Sequence, residues 1–133
     1  MAFVHGKSAV FKIGSTNLSA YCDNIDVKRA ADSHDTTTFG QTGHTYLGGL
    51  TDGTISVKGK YDDGDATNPR TTLQGSLGAT QVWTYQAAGA ATGNPQLTGS
   101  GVLTSYEESA PVADLVTWAA EWQITGTVTT TDQ

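Results

Sequence analysis

The chain has little of what small proteins use for cross-links, metal binding or membrane insertion. Its one cysteine, Cys22, cannot form a disulfide within the chain. Its three histidines stand outside any His-Glu-x-x-His or paired-cysteine spacing, so we expect no metal site. No run of about 18 apolar residues is present, and the first residues lack a signal-peptide pattern. We therefore expect that the protein does not contact a membrane and that it is made in a cytoplasm.

Charge is also sparse. Charged residues make up 15% of the chain, against roughly 25% in ordinary globular proteins. The seven basic and thirteen acidic residues give a net charge of −6, and the basic ones are scattered, so no surface that grips nucleic acid is predicted. Solubility is the simplest explanation of the acidity. Threonine and glycine take the place of charged residues, which favours a β protein, or a surface covered by copies of the same chain.

Patterns that would indicate catalysis are missing as well. There is no Gly-x-Ser-x-Gly motif, and Glu107 and Glu108 are adjacent rather than placed as an acid–base pair. Asp63, Asp65 and Thr67 resemble the start of a calcium loop, but no glutamate follows where such a loop needs one, so a turn is the better interpretation. We expect neither an enzyme nor a bound cofactor.

Two segments alternate between apolar and polar residues with the period of a half-buried strand. The first covers residues 54–61, and the second covers residues 112–128. The apolar face of the second includes Trp118 and Trp122, and each ring can bury roughly 150–250 Å². Gly126 is a candidate position for a bend. Both segments are predicted to place their apolar face on the core.

The remaining elements are shorter and are separated by turn residues. Asn68 and Pro69 fit a helix N-cap and first helical residue, which predicts a helix over residues 70–77 with Leu73 and Leu77 on its apolar stripe. Further strands are predicted at residues 9–13, 24–28, 81–87 and 96–106. We expect a single mostly β domain, residues 1–133, folded as a β-sandwich or barrel of about six to seven strands with one short helix and a long polar loop.

The predicted loop covers residues 30–50 and shows no periodicity. Aperiodic stretches of about twenty residues are uncommon in compact domains and are either functional or disordered. Phe39, Tyr46, Leu47 and Leu50 give this loop apolar anchors, which argue against disorder. A loop that cannot pack on its own small domain can pack on a neighbouring one.

Turn and strand motifs around this loop form a recognisable set. They are Asp-Thr-Thr at residues 35–37, Gly-Leu-x-Asp-Gly at residues 49–53, and the alternating strand that leads to Asp62. Together with the long strand at residues 112–128, they resemble the tail tube (major tail) proteins of long-tailed bacteriophages. The resemblance covers residues 28–63 and 112–128 well, and the N-terminal quarter only in its general strand pattern.

The resemblance implies a structural protein of the virion tail, made in the bacterial host. Such proteins assemble with themselves into hexameric rings, in which neighbouring sheets join into one inner barrel. The rings stack into a tube, and the long loop reaches the next ring. Implied partners are the tape-measure protein and other tail proteins, with DNA passing through the bore without specific binding.

Two sets of candidate residues follow from this reading. The residues expected to contact the next ring lie in the loop and are Asp35, Thr37, Phe39, Tyr46 and Leu47. The residues expected to line the bore form the polar face of a long strand and are Thr117, Glu121 and Gln123. The polar face of the other long strand, residues 54–60, is a weaker candidate because it carries Lys58 and Lys60.

Two other functions stay open at this point. A capsid decoration or tail completion protein would share the β class, but it would form single rings or bind a shell. A carbohydrate-binding β-sandwich could use Trp83, Trp118 and Trp122 as a stacking platform. Trp118 and Trp122, however, lie on the face that is predicted to be core.

Overall fold

Seven strands dominate the fold. The computed structural model describes residues 4–62, Gly64 and residues 68–133. The strands are β1 (Val10–Ile13), β2 (Thr16–Asn17), β3 (Cys22–Asp35), β4 (Tyr46–Lys60), β5 (Thr80–Gln86), β6 (Pro95–Ser109) and β7 (Thr117–Asp132). Within the described residues there is one α-helix, α1 (Pro69–Leu73), and it continues into a 3₁₀ turn, Gln74–Ser76. The predicted mostly β class, strand number and single short helix are confirmed.

The strands form a single antiparallel sheet in the order β2-β1-β5-β6-β7-β4-β3. The sheet does not close into a barrel in the part of the chain that is described. Its two edge strands, β2 and β3, are nevertheless consecutive in the chain and are separated only by residues 18–21. The five residue steps from Asn17 to Cys22 span at most about 18 Å, so the sheet curls until its edges approach each other at this end. The curl encloses the core.

Large aromatic side chains fill the core. Trp83, Trp118 and Trp122 are each at most 1% exposed, which confirms the predicted core face of β7. Phe11 of β1 packs against Trp122 with ring centroids 5.5 Å apart, so the two halves of the curled sheet meet there. Leu73 of α1 is fully buried beside them. Because all three tryptophans are buried, they cannot form the stacking platform that a carbohydrate-binding function would need.

The connection between β2 and β3 lies directly against the sheet. The indole N–H of Trp118 donates a hydrogen bond of 3.1 Å to the carbonyl oxygen of Tyr21. Gly59 of β4 passes beside the same carbonyl group, and a Cβ at this position would lie 2.7 Å from the carbonyl carbon of Tyr21. A close approach of this kind admits only glycine.

The helix is shorter than predicted. Asn68 is its N-cap, as expected, because its side-chain Oδ1 accepts a hydrogen bond of 2.9 Å from the backbone N–H of Thr71. The α-helix ends at Leu73 rather than at Leu77, since the chain tightens into the 3₁₀ turn and the helical spacing is lost. Leu77 is therefore 55% exposed and does not belong to the predicted apolar stripe.

The last strand is displaced relative to its prediction. β7 begins at Thr117 instead of residue 112, and it continues to Asp132 because its second half pairs with β6. Val112 lies in the connection before β7 and is fully exposed. Gly126 has a φ of 76°, which confirms it as the place where the strand bends. Asp63, Asp65 and Thr67, weighed as the start of a calcium loop, lie outside the described residues.

Candidate assembly surfaces

The predicted polar loop is the end of a long β-hairpin. β3 and β4 pair antiparallel from Cys22 opposite Gly59 to Asp35 opposite Tyr46. Only residues 36–45 lie between the two strands, so the loop is shorter than residues 30–50. β4 also pairs with β7, but this ladder ends at Thr54. The part of the hairpin beyond that point, residues 30–52, is called the arm below.

The arm has no core of its own. All of its residues are exposed except Thr37, which is half-buried. Its apolar side chains are Phe39, Tyr46, Leu47 and Leu50, and their exposed fractions range from 62% to 108%. A monomeric protein rarely presents so many large apolar side chains on one projecting element. The arm therefore has the composition of a contact surface rather than of a solvated loop.

Local hydrogen bonds give the end of the arm a defined shape. The backbone N–H of Thr36 donates to the carbonyl oxygen of Thr45 at 2.8 Å, and the backbone N–H of Thr45 donates to the hydroxyl of Thr37 at 2.9 Å. The carboxylate of Asp35 accepts a hydrogen bond of 2.8 Å from the backbone N–H of Thr37. Hydrogen bonds from Thr37 hold the pKa of Asp35 below its usual value. This turn presents Phe39 to solvent.

The predicted stacking residues thus share one place. Asp35 and Tyr46 are the last paired residues of the hairpin, and Leu47 lies opposite His34 next to them. Thr37 and Phe39 lie in the turn that follows. The structure brings all of these predicted residues to the outer end of the arm.

The cleft at the base of the arm is formed where β4 and β7 part. Gln123 marks the point of divergence, because its side-chain amide donates to the carbonyl oxygen of Gly53 at 2.9 Å and to the carboxylate of Asp52. Beyond Gln123, the arm and the end of β7 form the two walls of an open cleft of about 550 Å³. Ala30 and Ala31 line it on the arm side. Ile124 and Val128 line it on the β7 side. Sequence reasoning missed this cleft, and the bend at Gly126 was its only signal.

The two candidate sets for the bore belong to one surface. Thr54 of β4 lies opposite Gln123 of β7, and Ser56 lies opposite Glu121, so both polar faces point away from the core. β3 and β6 extend the same surface on either side. We call this the outward face, and its charged members are Asp26, Lys28, Lys58, Lys60, Glu107 and Glu121. Because acidic and basic side chains are mixed there, this face is not acidic in the way that the net charge of the chain suggests.

Several stretches of the described sheet have an unpaired side, and two of them flank the outward face. β3 is an edge strand, so its outer side has no partner within the described sheet. β5 pairs with β6 as far as Val102, and backbone hydrogen bonds of Leu103 extend this contact by one residue. Among the described residues, positions 104–109 of β6 therefore also have no strand partner on this side. Unpaired edges of this kind are templates for pairing with another chain.

Two kinds of feature are absent from the described part of the chain. No helix there is long and apolar enough to cross a membrane. No group of three or more histidine, cysteine, aspartate or glutamate side chains is arranged to hold a metal ion among the same residues.

Comparisons with known proteins identify the fold. No protein-family model matches the chain, and no curated protein matches it in sequence. Among solved structures, one similar chain comes from the tail of an empty gene transfer agent particle, which was computed with C6 symmetry. It superposes with a TM-score of 0.80 at 14% identity, and the match covers 97% of this chain and 99% of that one. The SPP1 tail tube superposes with a TM-score of 0.79 at 13% identity, covering 98% and 80%.

A contractile assembly shows the same likeness. A chain of the sheath–tube complex of an extracellular contractile injection system, PVC, superposes with a TM-score of 0.74 at 11% identity, covering 98% of this chain and 93% of that one. The chain thus has the fold of tail tube and injection tube subunits over nearly its full length. The resemblance noted in the sequence is confirmed at the level of the fold.

Proposed function

We propose that this chain is the subunit of a phage-type tail tube, a structural and non-enzymatic protein that assembles with itself into rings that stack into a tube. The observation that carries the proposal is the arrangement of free edges on the four neighbouring strands β3, β4, β7 and β6. Their outward face is polar and uncovered by other elements of the described chain. One end of this four-stranded unit is the free side of β3, and the other is the free side of residues 104–109 of β6.

The directions of these two edges suit a ring. Neighbouring strands of the unit are antiparallel, and the unit has an even number of strands, so β3 and β6 run in opposite directions. In a ring with rotational symmetry, β3 of one copy would therefore meet β6 of the next in antiparallel orientation. Both free stretches also lie at the same height, because Asn24 is level with Lys58, Ala119 and Glu107 across the four strands.

Joining these edges would place the outward face on the inside of the ring. Thr117, Glu121 and Gln123 would then line the bore, together with the polar residues of β4. Hydroxyl, amide and mixed charged groups would let DNA pass without strong attachment, since no basic patch is available to displace its counterions. The tape-measure protein before ejection, and DNA during it, are the contents that a tube of this kind would hold in the tail of a virion.

The arm supplies the contact along the tube. Its paired part extends by about six residues on each strand, or roughly 20 Å, past the body of the sheet. Asp35, Thr37, Phe39, Tyr46 and Leu47 at its end would contact a subunit of the adjacent ring. Six copies in a ring is our proposal for the symmetry, supported by the C6 tail in which a similar chain is found.

Hydrogen–deuterium exchange of the free and the assembled protein tests the ring contact. We expect residues 22–29 and 104–109 to gain protection on assembly, because their free N–H groups become paired. The internal control is the pairing between β5 and β6 at residues 80–85, which is already complete in the single chain and should gain little. Tubes that form without new protection of both edges would show that the rings are held in another way. Single rings that never stack would instead favour a decoration or completion protein.

A further inference from the structure

We propose that the junction between neighbouring copies has one register, in which Lys28 on the β3 edge of one copy lies directly opposite Glu107 on the β6 edge of the next. This inference rests on the proposed function, because it takes the joining of these two edges as given. It adds the contact that aligns the two strands, which is an ion pair between two copies of the chain.

The direction of the side chains limits the possible registers. Because side chains alternate along a strand, a junction that continues the outward face can shift only by an even number of residues. Within one chain Asn24 is level with Glu107. A shift of zero, two, four or six residues toward the arm therefore places Asn24, Asp26, Lys28 or Ala30 of one copy opposite Glu107 of the next.

The bulges of β3 favour the middle of this set. Pairing of β3 with β4 is regular from Asn24 to Ala31 and irregular just before and just after these residues. A shift of four pairs residues 104–109 of β6 with residues 26–31, which lie wholly inside the regular part. A shift of zero or six would run the junction across a bulge, where strand pairing is disrupted. With a shift of four, residues 22–25 would lie beside the β6–β7 connection of the next copy.

Charge separates the two remaining registers. A shift of two would place Asp26 opposite Glu107, and like charges in directly opposite positions destabilise a strand pair. A shift of four brings Lys28 opposite Glu107 instead and leaves Asp26 facing an uncharged residue. Arg29 then lies diagonally across from Glu108. Neither of the two basic residues and neither glutamate forms an ion pair with another described residue, so all four are available to the junction.

The geometry of a closed sheet supports the same shift. Four strands of one copy extend roughly 19 Å across the strand direction, and four residues extend about 13 Å along it. A shift of four residues per copy therefore tilts the strands by about 35° from the ring axis, within the range of about 35–45° that is typical of barrels. Shifts of two and six give about 19° and about 46° by the same relation. The tilt depends on the shift per copy and not on the number of copies.

Charge reversal tests the ion pair. Lys28→Glu and Glu107→Lys should each raise the concentration needed for assembly about tenfold, because each variant places like charges opposite each other at every junction. An equimolar mixture should assemble close to the threshold of the unmodified protein, since chains that alternate around the ring restore opposite charges at each junction. Lys12→Glu is the matched control. It makes the same change in net charge on β1, away from the junction, and should leave the threshold unchanged.

Disulfide formation between copies tests the register. In a Cys22→Ser background, Ala30→Cys and Ser105→Cys are directly opposite at a shift of four, where Cα atoms about 4.5–5.5 Å apart permit a disulfide. The matched control combines Asp26→Cys with Ser105→Cys, which are opposite only at a shift of zero. On oxidation of assembled protein we expect a ladder of linked chains from the Ala30 pair and only monomer from the Asp26 pair.

Each test has an outcome that would overturn the proposal. A ladder from the Asp26 pair, or tubes in which neither pair forms a ladder, would refute the register and leave the tube intact. Reversed charges that leave the threshold unchanged, or a mixture that does not restore it, would refute the ion pair, and this test keeps the natural Cys22. An unmodified protein that forms neither rings nor tubes would overturn the proposed function, and this inference with it.

Discussion

Replacement of Gly59 by alanine tests how the curled sheet is held together. The new methyl group would fall within the van der Waals radius of the Tyr21 carbonyl oxygen and 2.7 Å from its carbon, so the segment that joins β2 to β3 has to move. That movement breaks the hydrogen bond from the Trp118 indole, whose N–H would be left buried without a partner at a cost of about 1–3 kcal/mol. Overpacking adds about 1–3 kcal/mol, and the stiffer unfolded chain offsets roughly 0.4–1 kcal/mol. The free energy of unfolding should fall by about 3 kcal/mol.

Chemical denaturation followed by tryptophan fluorescence measures this loss. Gly43→Ala is the matched control, because a Cβ at Gly43 meets no atom within 4 Å and the residue is not among the glycines with positive φ. It should change stability by no more than about 0.5 kcal/mol. A Gly59→Ala protein within about 1 kcal/mol of the unmodified chain would refute the close contact between Gly59 and Tyr21, and with it the account of how the two sheet edges meet.

Three further predictions concern the arm, the thiol and the helix cap. Replacing residues 40–45 by a short linker should leave the circular dichroism spectrum and melting temperature unchanged, since the arm adds nothing to the core. The same replacement should abolish tubes in electron micrographs, and normal tubes would refute the stacking role of the arm. Burial, followed by the charge of Asp23, raises the pKa of Cys22 from 9.0 to about 12, so a thiol reagent at pH 8 should label Cys22 much more slowly in folded than in unfolded protein. The free energy of unfolding should also fall as pH rises above about 9, because the unfolded thiol ionises first. Equal labelling rates in the two states would contradict this. Asn68→Ala removes the helix N-cap and should lower the free energy of unfolding by about 1 kcal/mol in urea denaturation, whereas an unchanged midpoint would show that the cap is not needed.

The core strands could be predicted because one of their faces is buried. In β4, Ile55 and Val57 alternate with polar residues, and the alternating apolar positions of β7 include Trp118 and Trp122. In each strand the apolar positions identify the face that packs on the core. Asn68 and Pro69 likewise mark the start of α1, since capping depends on chemistry local to the chain. These features need no knowledge of the rest of the fold.

The arm could not be predicted in this way, although its two sides continue β3 and β4 as paired strands. Both of its faces meet solvent in the single chain, so no selection for alternating apolar residues acts on it. A bulge, where the pairing shifts between Ala31 and Ser33, further disrupts the period. The cleft depends on the divergence of β4 from β7, and that divergence is set by tertiary packing rather than by any local pattern.

The single curled sheet could not be predicted from the sequence either. A sandwich, a barrel and a curled open sheet all require short alternating strands that are separated by turns. They differ in whether their edge strands pair, and neither β2 nor β3 carries a local signal of that choice. The free edges that result are the basis of the ring proposed here.

Negative-stain electron microscopy of the purified protein over a wide concentration range, with light scattering alongside, tests the central claim most directly. We predict hollow tubes built of stacked rings with six-fold symmetry in end views, and a rise in scattering that sharpens above a threshold concentration. A protein that remains monomeric over the whole range, or that closes into single rings that do not stack, would contradict the account.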